Sequence, residues 1–118
     1  MINALLISAM MLVESGGDAG AIGDGGRALG VLQIHAGVIV DVNCRFGTAF
    51  LHEDALDPVK AKEICRLYLK AYAPARASPK TLARIWNGGP TGHKKASTLK
   101  YWKKVELKYN ELRRSHVS

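Results

Sequence analysis

Apolar residues recur at helical spacing in five stretches of the chain, and a glycine-rich tract separates the first from the second. From Asn3 to Val13 they occupy nearly every side, the pattern of a central buried helix rather than a surface one. Gly16 and Gly17 end it. Between Gly16 and Gly30 seven glycines alternate with Asp and Ala, which predicts a loop or a short hairpin. Leu29 to about Val42 is apolar again and reads as a second helix, in spite of the β-branched run Val38-Ile39-Val40. Asp57-Pro58 is a helix start, an N-cap followed by Pro at the first helical position. That third helix runs to about Tyr72, with Ile64, Leu67, Tyr68 and Ala71 on one face. Ser78-Pro79 repeats the signal for a short helix carrying Leu82, Ile85 and Trp86, and Asn87-Gly88-Gly89-Pro90 stops it. Ser97 caps a last helix whose inward stripe is Leu99, Trp102, Val105, Tyr109 and Leu112.

The pattern amounts to a mainly α fold: about five helices around a central buried helix, with the Gly-rich loop or short hairpin as a small lobe. No repeat, low-complexity tract or linker interrupts it, and 118 residues fit one compact domain spanning 1–118. With 47% apolar residues the chain has the makings of a core. Burying about two thirds of its unfolded surface needs no metal or disulfide staple. Cys44 and Cys65 suit one disulfide or two buried thiols, and their spacing is not that of a zinc or thioredoxin-type pair. His35, His52, His93 and His116 are scattered without metal-ligand spacing, so neither a metal nor a cofactor is expected.

The apolar N-terminus lacks the Lys or Arg that opens a secretory signal, and it runs straight into Glu14. It is also too short to span a bilayer, and reads as part of the fold. A net charge of +7 favours a polyanionic partner, and nucleic acid, anionic lipid and bacterial cell wall all qualify.

Three short segments carry the chemistry. Glu14-Ser15-Gly16 puts a carboxylate at the C-terminal end of an apolar helix. Desolvation beside nonpolar neighbours and the negative end of the helix dipole both disfavour its ionised form. A carboxyl kept protonated near neutral pH is what a general acid acting on a glycosidic oxygen requires. The second segment is Gly30-Val31-Leu32-Gln33-Ile34, and the third Trp86-Asn87-Gly88-Gly89-Pro90.

In this order and rough spacing the three resemble the motifs of the soluble lytic transglycosylases and goose-type lysozymes of the lysozyme-like superfamily. Those run Glu-Ser, then Gly-Leu-Met-Gln with an aliphatic residue, then Ala-Tyr-Asn with a following Gly. Tyr101-Trp102-Lys103-Lys104-Val105 is similar to the Tyr-x-x-Lys-Val helix that often ends the fold. The resemblance frames residues 14–90. It implies a peptidoglycan glycosidase, hydrolase or lytic transglycosylase, acting in the cell wall after secretion or in the periplasm. Glu14 would protonate the leaving oxygen, oriented by Ser15. Gln33 would line the cleft and hold sugar or the catalytic carboxylate, and Asn87 with Gly88 would contact sugar. Trp86 stands where the family has Tyr, keeping a stacking surface without the phenol. Leu32 replaces Met at similar volume.

Tyr101 is a second aromatic cleft candidate, while Trp102 reads as core. An inverting hydrolase also needs a second carboxylate to activate water. Asp24, in Gly23-Asp24-Gly25-Gly26, is the best candidate, although Asp before Gly is equally a plain turn signal. Asp18 is poorer, and Asp41 lies too far along the next helix. A transglycosylase needs no such partner. Substrate would be the glycan strand, with chitin a related possibility, and a monomer is expected.

Competing readings fit less. The Gly-rich tract lacks the Gly-Lys-Ser/Thr that closes a phosphate loop. The basic residues spread from Lys60 to Arg114 without a nucleic-acid-binding motif. A catalytically dead wall-binding domain remains the third alternative.

Overall fold

A computed structural model describes residues 2–117, with side chains through 115, so the side chain of His116 lies outside the described residues. Five α-helices follow the predicted order: α1 (Ala4–Ser15), α2 (Ala36–Phe46), α3 (Pro58–Tyr72), α4 (Pro79–Gly88) and α5 (Leu99–Val117). Their ends are set by local chemistry. The Asn3 side chain accepts the Leu6 N–H to open α1, and Gly16, at φ 67°, closes it in the left-handed region. Asp57 and Ser78 cap α3 and α4, each followed by Pro at the first turn, as their sequences predict.

Residues 29–34, predicted as the start of α2, instead complete the small lobe. Strand β1 (Ile22–Gly23) pairs antiparallel with β2 (Ala28–Leu29) around a 3-10 turn at Asp24–Gly26, and Leu29 forms a further bridge to Ile34. A helix cannot form there, because Gly30 and Gln33 take positive φ, 79° and 50°. The reversal they create turns Val31, Leu32 and Ile34 into the core, so the apolar run is buried by a turn rather than by a helix face. Ser97 does not cap α5. It sits exposed in a 3-10 turn at Ala96–Thr98, and Thr98 beside it is the buried hydroxyl. Leu99, expected in the buried stripe, is 38% exposed, while Trp102, Val105 and Tyr109 are buried as expected.

Helix α1 supplies Leu6, Ile7, Ala9 and Met10 to the core but is not enclosed all round, since Ala4 and Leu12 face solvent. It packs chiefly along α5, joined at one end by a hydrogen bond from Asn3 Nδ2 to Tyr109 Oη of 2.6 Å. Helix α3 carries Ala61, Ile64, Cys65, Tyr68 and Leu69 inward and is packed by α2 on one side and α4 on another. Cys44 and Cys65 are both free thiols, one exposed and one buried. No helix among the described residues is long and apolar enough to cross a membrane.

Candidate active site

Glu14 is the penultimate residue of α1, where α1 meets α4 and α5. Two donors reach its carboxyl. Tyr101 Oη, from the first turn of α5, lies 3.1 Å from Oε2, and the Trp86 side chain, near the end of α4, also hydrogen-bonds the group. Burial dominates these two bonds and raises the Glu14 pKa to about 7, with the Tyr101 and Trp86 bonds pulling it back down. Tyr101 is itself driven well above the usual phenol value, first by burial and then by the Glu14 charge, so it stays a neutral donor. The buried Cys65 thiol of α3 is pushed up by the same two causes. The arrangement therefore leaves about half of the carboxyl protonated at neutral pH, beside a phenol and an indole, where an exposed glutamate would be almost fully ionised.

Trp86 is positioned from the other side by α3. Its ring meets Tyr68 edge-on, centroids 5.6 Å apart at 85°, and Tyr68 is tilted against Tyr72 at 5.0 Å. Tyr72 Oη donates to Asp41 Oδ2 at 2.5 Å, and the Arg45 guanidinium lies 4.8 Å from the Tyr72 centroid. Asp41 is thus held by a tyrosine on the aromatic wall that ends at Trp86.

Ser15 does not orient Glu14. Its hydroxyl is shared between Met11 O (3.2 Å) and Val31 O (2.9 Å), which ties the end of α1 to the turn following the hairpin. Gln33 is likewise internal to the lobe. Its amide Nε2 donates to Ala21 O (3.2 Å) and Gly30 O (3.0 Å). Its Oε1 lies so near Gly23 that a Cβ there would come within 2.2 Å. Gln33 therefore braces the strand that leads into Asp24.

Asp24 occupies the hairpin turn at φ 52°, followed by Gly25 and Gly26 at 66° and 93°. Three consecutive left-handed residues push its carboxylate outward. There it meets His35 Nε2 at 3.3 Å and Arg27 Nη2 at 3.6 Å, all three side chains being substantially exposed. Asn87 is exposed at the end of α4, and Gly88 packs under Thr98, where a Cβ would meet Cγ2 at 2.5 Å. Among the described residues no group of three or more His, Cys, Asp or Glu could hold a metal ion. An apolar groove of about 550 Å³ between α3 and α4, lined by residues such as Leu67, Ala73, Ala77 and Leu82, includes none of these site residues.

No family model matches the chain. Over 62 residues it is 42% identical to a lysozyme of Magallana gigas, a match spanning 50% of this chain but only 44% of that protein. The structural likeness runs further. The fold superposes with a TM-score of 0.75 on the crystal structure of Aeromonas hydrophila PliI in complex with Meretrix lusoria lysozyme. On inhibitor-bound lysozyme from Meretrix lusoria the score is 0.74. Each has 30% sequence identity and covers 90% of this chain and 89% of the other. The chain belongs to the lysozyme-like superfamily.

Within a lysozyme-like frame, the residues that sequence reasoning missed are those acting at one remove. His35 directly follows the Gln33-Ile34 segment, and only the hairpin reversal brings it back against Asp24. The Tyr101 contact carries its own prediction. A hydrogen bond donated to the ionised carboxyl lowers its pKa, so Tyr101→Phe raises it. The alkaline limb of the pH–rate profile is expected to move up by about half to one pH unit, with kcat at pH 6 about tenfold lower because the carboxyl loses the donor that orients it. A downward movement would contradict the geometry.

Proposed function

We propose that this chain is a single-domain peptidoglycan glycosidase of the muramidase kind. It cleaves the β-1,4 bond between N-acetylmuramic acid and N-acetylglucosamine, with Glu14 as general acid. The observation that carries the reading is a buried carboxyl at the end of an apolar helix, with Tyr101 Oη 3.1 Å from it, where burial lifts the pKa to about 7 and keeps a large share of the group protonated near neutrality. As Glu14 protonates the leaving oxygen the C–O bond breaks, leaving an oxocarbenium-like centre on the other sugar, and in hydrolysis a water molecule adds to it and gives up its proton to a carboxylate. Asp24 supports hydrolysis. It is an outward-facing carboxylate in a left-handed turn, braced by Gln33 through the lobe and flanked by His35 and Arg27. Non-glycine residues in that backbone region occur preferentially at functional sites. Trp86 offers a stacking face for sugar, and the exposed Asn87 an amide to its polar groups. The net charge of +7 favours accumulation at an anionic wall, where the protein acts in secreted or periplasmic form.

The test is digestion of purified peptidoglycan followed by mass spectrometry. Reducing muropeptides are expected, and Asp24→Asn should lose activity about a hundredfold or more. Anhydro-muropeptides, with activity indifferent to Asp24→Asn, would show that a substrate hydroxyl closes the ring in place of water and would remove Asp24 from the mechanism. Absence of any cleavage, with tight and strongly salt-dependent DNA binding, would overturn the reading itself.

A further inference from the structure

The Thr98 side chain, 1% exposed, carries an aliphatic hydroxyl into the described core. Its single hydroxyl hydrogen is shared between Gly92 O at 2.7 Å and Lys95 O at 2.8 Å, and its oxygen accepts from Arg84 Nε at 2.8 Å. Arg84 makes a second bond, from Nη2 to Lys95 O at 2.9 Å, so its guanidinium grips both the hydroxyl and the carbonyl beside it. Lys95 Nζ returns to Gly88 O at 2.7 Å. Packing reinforces the bonds. The Thr98 methyl occupies the space a Cβ at Gly88 would take, and a Cβ at Gly92 would lie 2.0 Å from Arg84 O.

The end of α4, the loop after it and the start of α5 are therefore fastened at one point. Trp86 lies two residues before Gly88, and Tyr101 three residues after Thr98. These are the two side chains that donate to Glu14, and they come from two different helices. Their common placement on one carboxyl requires a fixed relation between the end of α4 and the start of α5. The hydroxyl and guanidinium supply it, in a loop that runs Gly-Pro-Thr-Gly-His-Lys-Lys-Ala-Ser from Gly89 to Ser97 through short 3-10 turns.

We propose that Thr98 and Arg84 form a positioning clamp for the active site, holding the α4 end and the α5 start in the one arrangement that brings Trp86 and Tyr101 together on Glu14. The proposal rests on Glu14 being the acid. It adds two residues that touch neither the carboxyl nor the substrate, and the test does not depend on turnover. Such residues act through geometry, and a displacement of the order of 1 Å at a reacting group costs about a hundredfold in rate.

Thr98→Val keeps the methyl against Gly88 and removes the hydroxyl, while Thr98→Ser keeps the hydroxyl. The primary measurement is an NMR titration of the Glu14 carboxyl in each variant. Weakened donors favour the protonated form, so Thr98→Val is expected to raise the Glu14 pKa by about half a pH unit. On a soluble glycan at pH 6 its kcat should fall about tenfold, with KM within about twofold of the parent. Thr98→Ser should titrate as the parent does. If Thr98→Val does not fold, Arg84→Lys serves, because it retains the charge but cannot reach both acceptors; the same upward shift, smaller, is expected. A folded Thr98→Val or Arg84→Lys protein in which Glu14 titrates unchanged, or at lower pH, overturns the clamp. Failure of the parent to cleave glycan would overturn the assignment of activity instead, leaving the titration to judge the clamp.

Discussion

Glu14→Gln is expected to abolish glycan cleavage while making the folded protein more stable at pH 8. The loss of activity should be about a thousandfold or more, since an amide cannot give up the proton that the departing oxygen needs. The parent's kcat/KM should fall on the alkaline side with an apparent pKa of about 7, the value that burial imposes on the group. The gain in stability has the same origin. The carboxyl titrates at about 7 in the fold against an ordinary value of 4.5. Between those values the folded protein holds a proton that the unfolded chain has released, so its stability declines as pH rises through the window. The favourable contribution is complete below about pH 4.5 and gone above about pH 7, a difference of about 3 kcal/mol. Gln carries no charge to desolvate, and its Oε1 still accepts from Tyr101 and Trp86. Denaturant titration of the two proteins at pH 5 and pH 8 should show curves nearly equal at the lower pH and separated at the higher one. Equal stability at pH 8 would mean that Glu14 is not held in a desolvating environment, and the reason for naming it the acid would go with it. On the proposed assignment, Glu14 is one of the places where the fold gives up stability for chemistry.

Much of this was legible in the chain because it depends on local rules. The Asp57-Pro58 and Ser78-Pro79 starts hold to the residue, since an N-cap oxygen followed by Pro leaves the backbone little alternative. Glu14 stands out less by its own environment, which also suits a solvated glutamate at a helix end, than by its order with the Gln33 and Asn87 segments, the pattern that carries the family resemblance. Periodicity misled at residues 29–34. An apolar run satisfies burial by any geometry that turns its side chains inward, and there a reversal through Gly30 and Gln33 does so where a helix was expected. Ser97 misled for a related reason. Ser and Thr are both capping residues, and only the packing of α4 against α5 shows that the adjacent Thr98 is the one drawn inside. Ser15 and Gln33 match positions of the resembled motifs, which assigns the first to orienting Glu14 and the second to the cleft wall. Their polar atoms instead satisfy backbone carbonyls of a lobe too small to satisfy them through strand pairing alone. Sequence neighbours of a reactive group are often what holds it, and hydrogen-bond partners decide which.

Gly30 is where that support is most exposed to a single change, and Gly30→Ala is expected to be the most damaging small substitution in the lobe. Its φ of 79° costs an alanine about 1–2 kcal/mol by itself. The added Cβ would also lie 1.8 Å from Ala55 O, a backbone atom of the 3-10 turn at His52–Leu56 that cannot swing aside as a side chain can. Either the turn or the hairpin must move, and both are tied in: Gly30 N–H donates to Ala21 O at 2.8 Å, and Gly30 O accepts from the Gln33 backbone and side chain, both at 3.0 Å. A loss of about 3 kcal/mol or more is expected, which for a domain of this size lowers the melting temperature by about 10 °C or more. Gly25→Ala is the matched control, because φ is also positive there, at 66°, but nothing lies within 4 Å of the new Cβ. It should lose only the conformational part, about 1 kcal/mol, and melt within a few degrees of the parent. Thermal melts of the two variants separate the effects, and equal losses would mean that the close approach to Ala55 contributes nothing. Cleavage should follow the same order for a structural reason. Displacing Gly30 disturbs Val31, whose carbonyl anchors Ser15 beside Glu14, and releases Gln33 from the strand leading to Asp24. A glycine remote from Glu14 thereby fixes the lobe that carries Asp24 against the end of α1, and on the proposed mechanism that relation is what Gly30→Ala disturbs.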